Sequence, residues 1–399
     1  MKSLSSLFFF LESVMILTGI IIGAGVFVLP YVGYFSGLIS IIFWLILSFF
    51  IITYLHLAFG EIVLKTDKEH RLIGYANYYL GKKAKYLISL TTFFTFSFSL
   101  LIYLLLSAQF LNNLLEPYIS LPFPYLFFSL WFILNLMTLF PSQEKVASLN
   151  FLFSFLILFI FFFIILFYYP YFQFHNLNFF PIKDSSYFLN YLLKIFLPYG
   201  IAFFALNGMA GVPELLKNFK KRNLPFKKAK EAIILGTILP LIFYFSFILF
   251  VDSICGKNVS KEAINCLKDF LGYKIVFLGS CIGLLAVITS YIVFSLYLKN
   301  TFLKDFNFPK SLAHALIIFG PLIFYLLNLK NIISLVSFLG GLVGGMEGLM
   351  ILFIFKKLKE KIKEERFYSL NFNQLIFLFL LIILILGALC QTFIVPLIN

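Results

Sequence analysis

Charge is scarce in this chain of 399 residues: Asp, Glu, Lys and Arg make up 12% of it, against 62% hydrophobic residues. With a mean hydropathy of +1.01, a soluble globular domain is excluded, because too little polar surface exists to cover the apolar bulk. Histidine and cysteine are scarcer still, at four residues each. His56, His70, His175 and His314 are scattered, and no C-x-x-C, H-E-x-x-H, Walker A or G-x-S-x-G pattern occurs, so no metal constellation and no catalytic cluster is available. The 57 Phe read as compositional bias and carry no functional weight.

What is present is long apolar runs. Eleven stretches of spanning length lie at about 11–34, 36–59, 86–111, 123–140, 147–169, 192–216, 232–251, 273–298, 311–328, 331–355 and 373–395. The start, MKSLSSLFFF, has the single Lys2 and apolar run of a signal peptide. The run continues too long and shows no small-x-small cleavage site, so it reads as an uncleaved first span. Most of the 31 Lys and Arg fall between Lys65 and Lys85, between Lys217 and Lys230, and between Lys356 and Arg366. The positive-inside rule then predicts a cytoplasmic N-terminus, an external C-terminus and residence in the cytoplasmic membrane. Basic loops facing anionic lipid account for the net charge of +14 without nucleic acid.

An offset of about 185 residues carries spans three, four and five onto spans eight, nine and ten. Each unit holds an odd number of spans, so two in series lie in opposite orientations, as in the inverted repeats of many secondary transporters. The predicted organisation is a first repeat over 1–180, a second over 181–356, and a basic linker with an eleventh span over 357–399. The same offset pairs span one with span six. Both are interrupted at mid-depth, span one by Gly23, Ala24 and Gly25, span six by Asn207 to Gly211 before Pro213 and Glu214. Proline and a carboxylate suit the first turn of a new half-helix. Gly-x-Gly alone also suits close helix packing, but matching interruptions in two halves point to a transport site, since irregular backbone at that depth must line a cavity or be buried in protein.

The stretches TGIIIGAGVFVLP, RLIGYANYYLGKKAKYL and LPYGIAFFALNGMAGVPELLK resemble amino acid permeases of the amino-acid–polyamine–organocation superfamily, most nearly the aromatic amino acid permease and amino acid/auxin permease branch. The resemblance implies an all-α polytopic protein of about eleven transmembrane helices: a LeuT-type 5+5 inverted repeat with broken spans one and six, plus one C-terminal helix. It further implies alternating access. The implied substrate site places Gly23, Ala24 and Gly25 amides on a carboxylate, carbonyls near Thr18 to Ile22 and around Ala205 and Leu206 on the ammonium, and Asn207 and Gly208 beside them. Phe203 and Ser97 would shape the side-chain pocket. Asn207 serves equally as a helix-terminus cap, and Ser99 competes with Ser97. Ala286, Thr289 and Ser290 reproduce an A-x-x-T-S pattern similar to a sodium site in relatives, with Gly19 and Ile22 as carbonyl donors; Thr-Ser in a helix is also often bonded to its own turn. Span five lacks the lysine that replaces this ion in some proton-coupled relatives, which favours Na+ over H+. Val26 offers no side-chain ligand for a second sodium.

Glu347, in GGLVGGMEGLM of span ten, is the remaining intramembrane carboxylate and a candidate proton carrier; snorkelling or a structural hydrogen bond is its alternative. Cys255 and Cys266 share one outer loop and can pair if the exterior is oxidising. No cofactor other than the coupling ion is expected; the expected partners are an amino acid as small-molecule substrate and the bilayer, with no nucleic acid, and a monomer is compatible. The leading function is a cation-coupled amino acid symporter, with an exchanger or a transport-inactive nutrient sensor as alternatives. A metal-ion transporter would need acidic or amide ligands in the first break, which has none, and an enzyme would need a catalytic cluster.

Overall fold

The computed structural model of the chain describes residues 2–67, 69–139, 143–181, 193–361 and 368–398. The first apolar run forms α1 (Lys2–Ile21) and α2 (Gly25–Ser36), whose axes bend by 57° at the intervening glycine stretch. Then follow α3 (Leu38–Lys65), the short α4 (Leu72–Leu80), α5 (Lys82–Leu115), α6 (Phe123–Leu139) and α7 (Gln143–Tyr168). The sixth run breaks into α8 (Pro198–Leu206) and α9 (Gly211–Lys221), separated by Asn207 to Ala210. After these come α10 (Ala229–Cys255), α11 (Tyr273–Asp305), α12 (Lys310–Leu326), α13 (Ile332–Phe338), α14 (Gly345–Lys361) and α15 (Gln374–Ile398).

All eleven predicted runs fall on helices. Among the described residues eight helices are long and apolar enough to cross a membrane, nine when the bent α1–α2 pair counts as one span. The remaining two, α6 and α12, have 17 residues each, about 25 Å of helix, slightly less than a bilayer core of about 30 Å. The chain is a multi-pass membrane protein.

Burial separates centre from periphery. The span from Leu193 to Lys221 is 72% buried, whereas Leu152–Tyr171 is 22% buried and Gln374–Gln391 28% buried. The interrupted spans therefore occupy the middle, and α7 and α15 present faces such as Phe159, Phe167, Leu375 and Leu386 outward, as lipid-facing side chains do. Close backbone approach explains two glycines. Gly37 turns the chain between α2 and α3 at φ +87°, where Leu38 N–H donates to the Asn178 carbonyl at 2.7 Å. Gly340 lies against the Gly200 carbonyl, and a side chain there would overlap it. Around Gly340 the tenth span is a π-helix over Leu339–Gly344, between α13 and α14. Such widened turns are frequent at functional sites, and Glu347 follows three residues later.

The basic segments gather on one face, joined by ion pairs: Arg222 to Glu12 at 3.0 Å, Arg71 to Glu214 at 2.7 Å, and Glu61 to both Lys65 and Lys359. On the opposite face Cys255 and Cys266 form a disulfide, the pairing that the sequence left conditional.

Candidate functional site

A cavity of about 50 Å³ lies where the two interrupted spans meet. Gly23, Ala24, Gly25, Ala205 and Asn207 line it from the breaks, and Thr92, Thr95, Ser99 and Tyr103 line it from α5. Phe294 and Tyr297 of α11 and Glu347 of α14 close the wall. At roughly 10–15 Å³ per water, this volume holds a few waters, so a larger ligand enters only when the walls move.

The breaks supply opposite polarities. The first N–H groups of α2 have no partner within their helix, and Gly23, Ala24 and Gly25 place that positive end at the cavity. The C-terminal ends of α1 and α8 supply carbonyls, but here the structure adds a residue that the sequence did not single out. The Tyr244 hydroxyl, on the fully buried part of α10, lies 2.8 Å from both the Ile21 and the Ala205 carbonyl oxygens. One proton shared between two acceptors caps both half-helices. Two of the carbonyls in the stretches that the resemblance reserved for an ammonium, those of Ile21 and Ala205, thus already carry a donor.

Asn207 makes the cap that the sequence allowed and also lines the cavity. Its Oδ1 accepts from the Met209 N–H at 3.2 Å, capping the break, and its amide NH2 remains for a ligand because the residue lines the cavity. Other expected residues lie elsewhere. Ser97 sits beside Gly320 of α12 rather than at the cavity, and Ser99 takes its place. Phe203 packs beside Gly344, and Gly208 packs on Ile21 while its N–H donates to His56 Nε2 at 3.1 Å. Phe203, Leu206 and Gly208 are buried without lining the cavity.

Of the A-x-x-T-S set, Ser290 is buried with its hydroxyl close to Gly23 and Tyr103. Thr289 donates its hydroxyl to its own turn, 2.8 Å from the Leu285 carbonyl and 3.0 Å from that of Ala286. Ala286 and Ile22 line a separate pocket of about 40 Å³ walled by Phe27, Phe161, Phe243 and other apolar side chains. Gly19 belongs to α1 just before the break.

Glu347 is buried at the cavity, and the Thr95 hydroxyl lies 2.9 Å from its Oε1 and 2.9 Å from the Thr91 carbonyl. Two arrangements satisfy this geometry. An ionised carboxylate accepts the Thr95 proton; a protonated one donates to the Thr95 oxygen, whose own proton then goes to Thr91. Toward the basic face, a second cavity of about 330 Å³ is lined by Arg71, Glu214, Lys217 and Lys304. The paired Arg71 and Glu214 line this second space, and the guanidinium lies 4.7 Å from the centre of the Tyr297 ring, which lines the first. Burial works against the Arg71 charge, but Glu214 and Tyr297 outweigh it and hold the guanidinium pKa above its ordinary value.

Two interrupted central spans around a small cavity in a helical membrane protein are the architecture of LeuT-fold transporters. In agreement, the structure of Mhp1, a nucleobase-cation-symport-1 family transporter in a closed conformation with bromovinylhydantoin bound, superimposes with a TM-score of 0.64, covering 97% of this chain and 91% of that one at 13% identity. At that identity the likeness shows the fold alone. The sequence pattern of the tryptophan/tyrosine permease family matches residues 8–391, and the chain belongs to that family, within the superfamily that its motifs resemble. No curated protein sequence matches it. The protein is a secondary transporter.

Proposed function

We propose that this permease carries amino acids with aromatic side chains across the membrane by alternating access, coupled to a cation. One observation carries the reading: the N-terminal end of α2, Asn207 and Glu347 line a single small cavity between aromatic walls. A helix N-terminus suits a substrate carboxylate, and Phe96, Phe294 and Tyr297 suit a flat ring. The family membership supports the same substrate class.

For the coupling ion we favour H+, carried by Glu347, over the Na+ expected from the A-x-x-T-S pattern. Glu347 is the carboxylate in the cavity wall, and Thr95 can serve both of its protonation states. The Ala286 carbonyl, by contrast, is engaged by Thr289. Sodium is the second reading, favoured by the buried Ser290 hydroxyl beside the first break.

The test is uptake of labelled tryptophan and tyrosine into proteoliposomes under an inward H+ or an inward Na+ gradient at matched membrane potential. Accumulation with H+ is expected, and Glu347→Gln should lose accumulation while retaining exchange of substrate across the membrane. Accumulation driven by Na+ alone would overturn the proton assignment and return the role to Thr289 and Ser290. Folded protein that moves neither amino acid, by gradient or by exchange, would refute the substrate assignment.

A further inference from the structure

His56 lies in the middle of α3 with no exposed surface, and nothing in the transport reading uses it. Its Nε2 accepts the Gly208 N–H at 3.1 Å, and its Nδ1 lies 3.1 Å from Thr237 Oγ1 on α10. Thr237 is itself 2.9 Å from the Ile233 carbonyl, to which it donates. These contacts dictate where the protons are. A backbone N–H can only donate, so Nε2 presents its lone pair. The Thr237 proton goes to Ile233, so its oxygen accepts, and Nδ1 carries the ring proton. The neutral Nδ1–H tautomer completes a chain from Gly208 through the ring and Thr237 to Ile233. A lysine, a leucine or a protonated imidazole could not complete it.

Gly208 lies in the unwound stretch of the sixth span, where no helical partner exists for its N–H. Its neighbours Asn207 and Met209 both line the cavity. We propose that His56 is a positioning residue for transport: it fixes the unwound stretch of the sixth span against α3 and α10, and so sets where Asn207 and Met209 meet the ligand. The ring touches no cavity-lining atom in this role; it acts through the Gly208 backbone. The proposal rests on the cavity being the transport site.

Two amide replacements separate positioning from simple packing. Glutamine extends an acceptor to the place of Nε2, whereas asparagine reaches only the place of Nδ1. In full-length protein in lipid nanodiscs, His56→Asn should speed hydrogen–deuterium exchange at Gly208 by about tenfold, the factor one lost hydrogen bond carries. His56→Gln should leave it near the wild-type rate. In proteoliposomes His56→Asn should raise the KM for tryptophan by a similar factor with Vmax little changed, and His56→Gln should restore KM. Equal behaviour of the two variants, or unchanged exchange at Gly208 in His56→Asn, would overturn the proposal. If neither tryptophan nor tyrosine is carried by the wild type, the substrate reading fails, and the exchange measurement alone decides on His56. Should His56→Asn fail to fold, Thr237→Val supplies the second variant: it removes the acceptor for Nδ1–H, and faster exchange at Gly208 is again expected, with an unchanged rate refuting the chain.

Discussion

Gly25→Ala is the substitution that probes the crossing of the two breaks most directly. A Cβ at Gly25 would lie 2.6 Å from both Cα and Cβ of Ala205 and 3.3 Å from its nitrogen. Ordinary carbon contacts fall at about 3.5–4.0 Å, so α2 and the end of α8 must part by roughly 1 Å. No side-chain rotation can absorb this, because the obstacle is backbone and a methyl group without rotamers. Overpacking of this kind costs about 1–3 kcal/mol, which a protein of this size survives. Transport should suffer far more, since a displacement of about 1 Å at a binding geometry can cost about a hundredfold in rate. Gly23→Ala is the matched control. Its Cβ would meet the Ser290 and Tyr103 hydroxyls at 3.2 Å, ends of side chains that can yield by a few tenths of an ångström. The assay is the initial rate of tryptophan uptake into proteoliposomes, normalised to monodisperse protein. Gly25→Ala should be slower by about a hundredfold and Gly23→Ala only mildly affected. A Gly25→Ala rate near wild type, or a worse loss in Gly23→Ala, would refute the assignment of the contact point.

Tyr244→Phe leaves the ring in place and removes the one hydroxyl shared by Ile21 and Ala205. It should lower stability by about 1–3 kcal/mol, the cost of buried carbonyls left without a donor; thermal denaturation in detergent checks this, and an unchanged midpoint would mean that water replaces the hydroxyl. Arg71→Gln and Glu214→Gln each break the pair that lines the second cavity. Each should speed alkylation of an Asn207→Cys reporter by a membrane-impermeant reagent added at the basic face, with little further gain in the double variant; unchanged labelling would show that the pair closes nothing.

The spans were legible because apolar length is a coarse signal that survives any packing arrangement. The breaks were legible for the same reason that they exist: Gly23, Gly25, Asn207 and Gly208 are poor residues for a helix in lipid. Choice of face was not legible. Ser97 and Ser99 are two positions apart on α5, about 200° around the axis, and a helix buried on most sides has no polar face to tell them apart. Only the neighbours decide, with Gly320 behind Ser97 and the cavity before Ser99. Contacts made by single hydroxyls were invisible too. Tyr244 stands in a run of Phe and Tyr, and nothing in that run marks it as the cap of both half-helices. His56 had a signal that scattering concealed: an ionisable ring within an apolar span needs partners wherever it sits. The basic loops show the opposite case, since charge placement along the chain anticipated that they would share one face.

Both breaks are tied to α10. Thr18 donates to the Gly236 carbonyl at 3.3 Å, Tyr244 caps Ile21 and Ala205, and Thr237 holds His56 against Gly208. Under the alternating access proposed above, a movement that pulled α1 or α8 away from α10 would leave several of these buried groups unpaired at once. Each would cost about 1–3 kcal/mol. Moving α1, α2, α3, α8, α9 and α10 together costs none of them. The wall formed by α5 and α11 meets the breaks differently: Phe96, Phe294 and Tyr297 line the cavity there, and sliding past the carbon atoms of a ring breaks no hydrogen bond. On the proposed alternating access, the interface expected to shift is therefore the one between the breaks and α5 with α11. Arg71 stacked on Tyr297 and paired with Glu214 spans that interface at the basic face, so closure at this end and separation along α5 and α11 compete for the same few contacts.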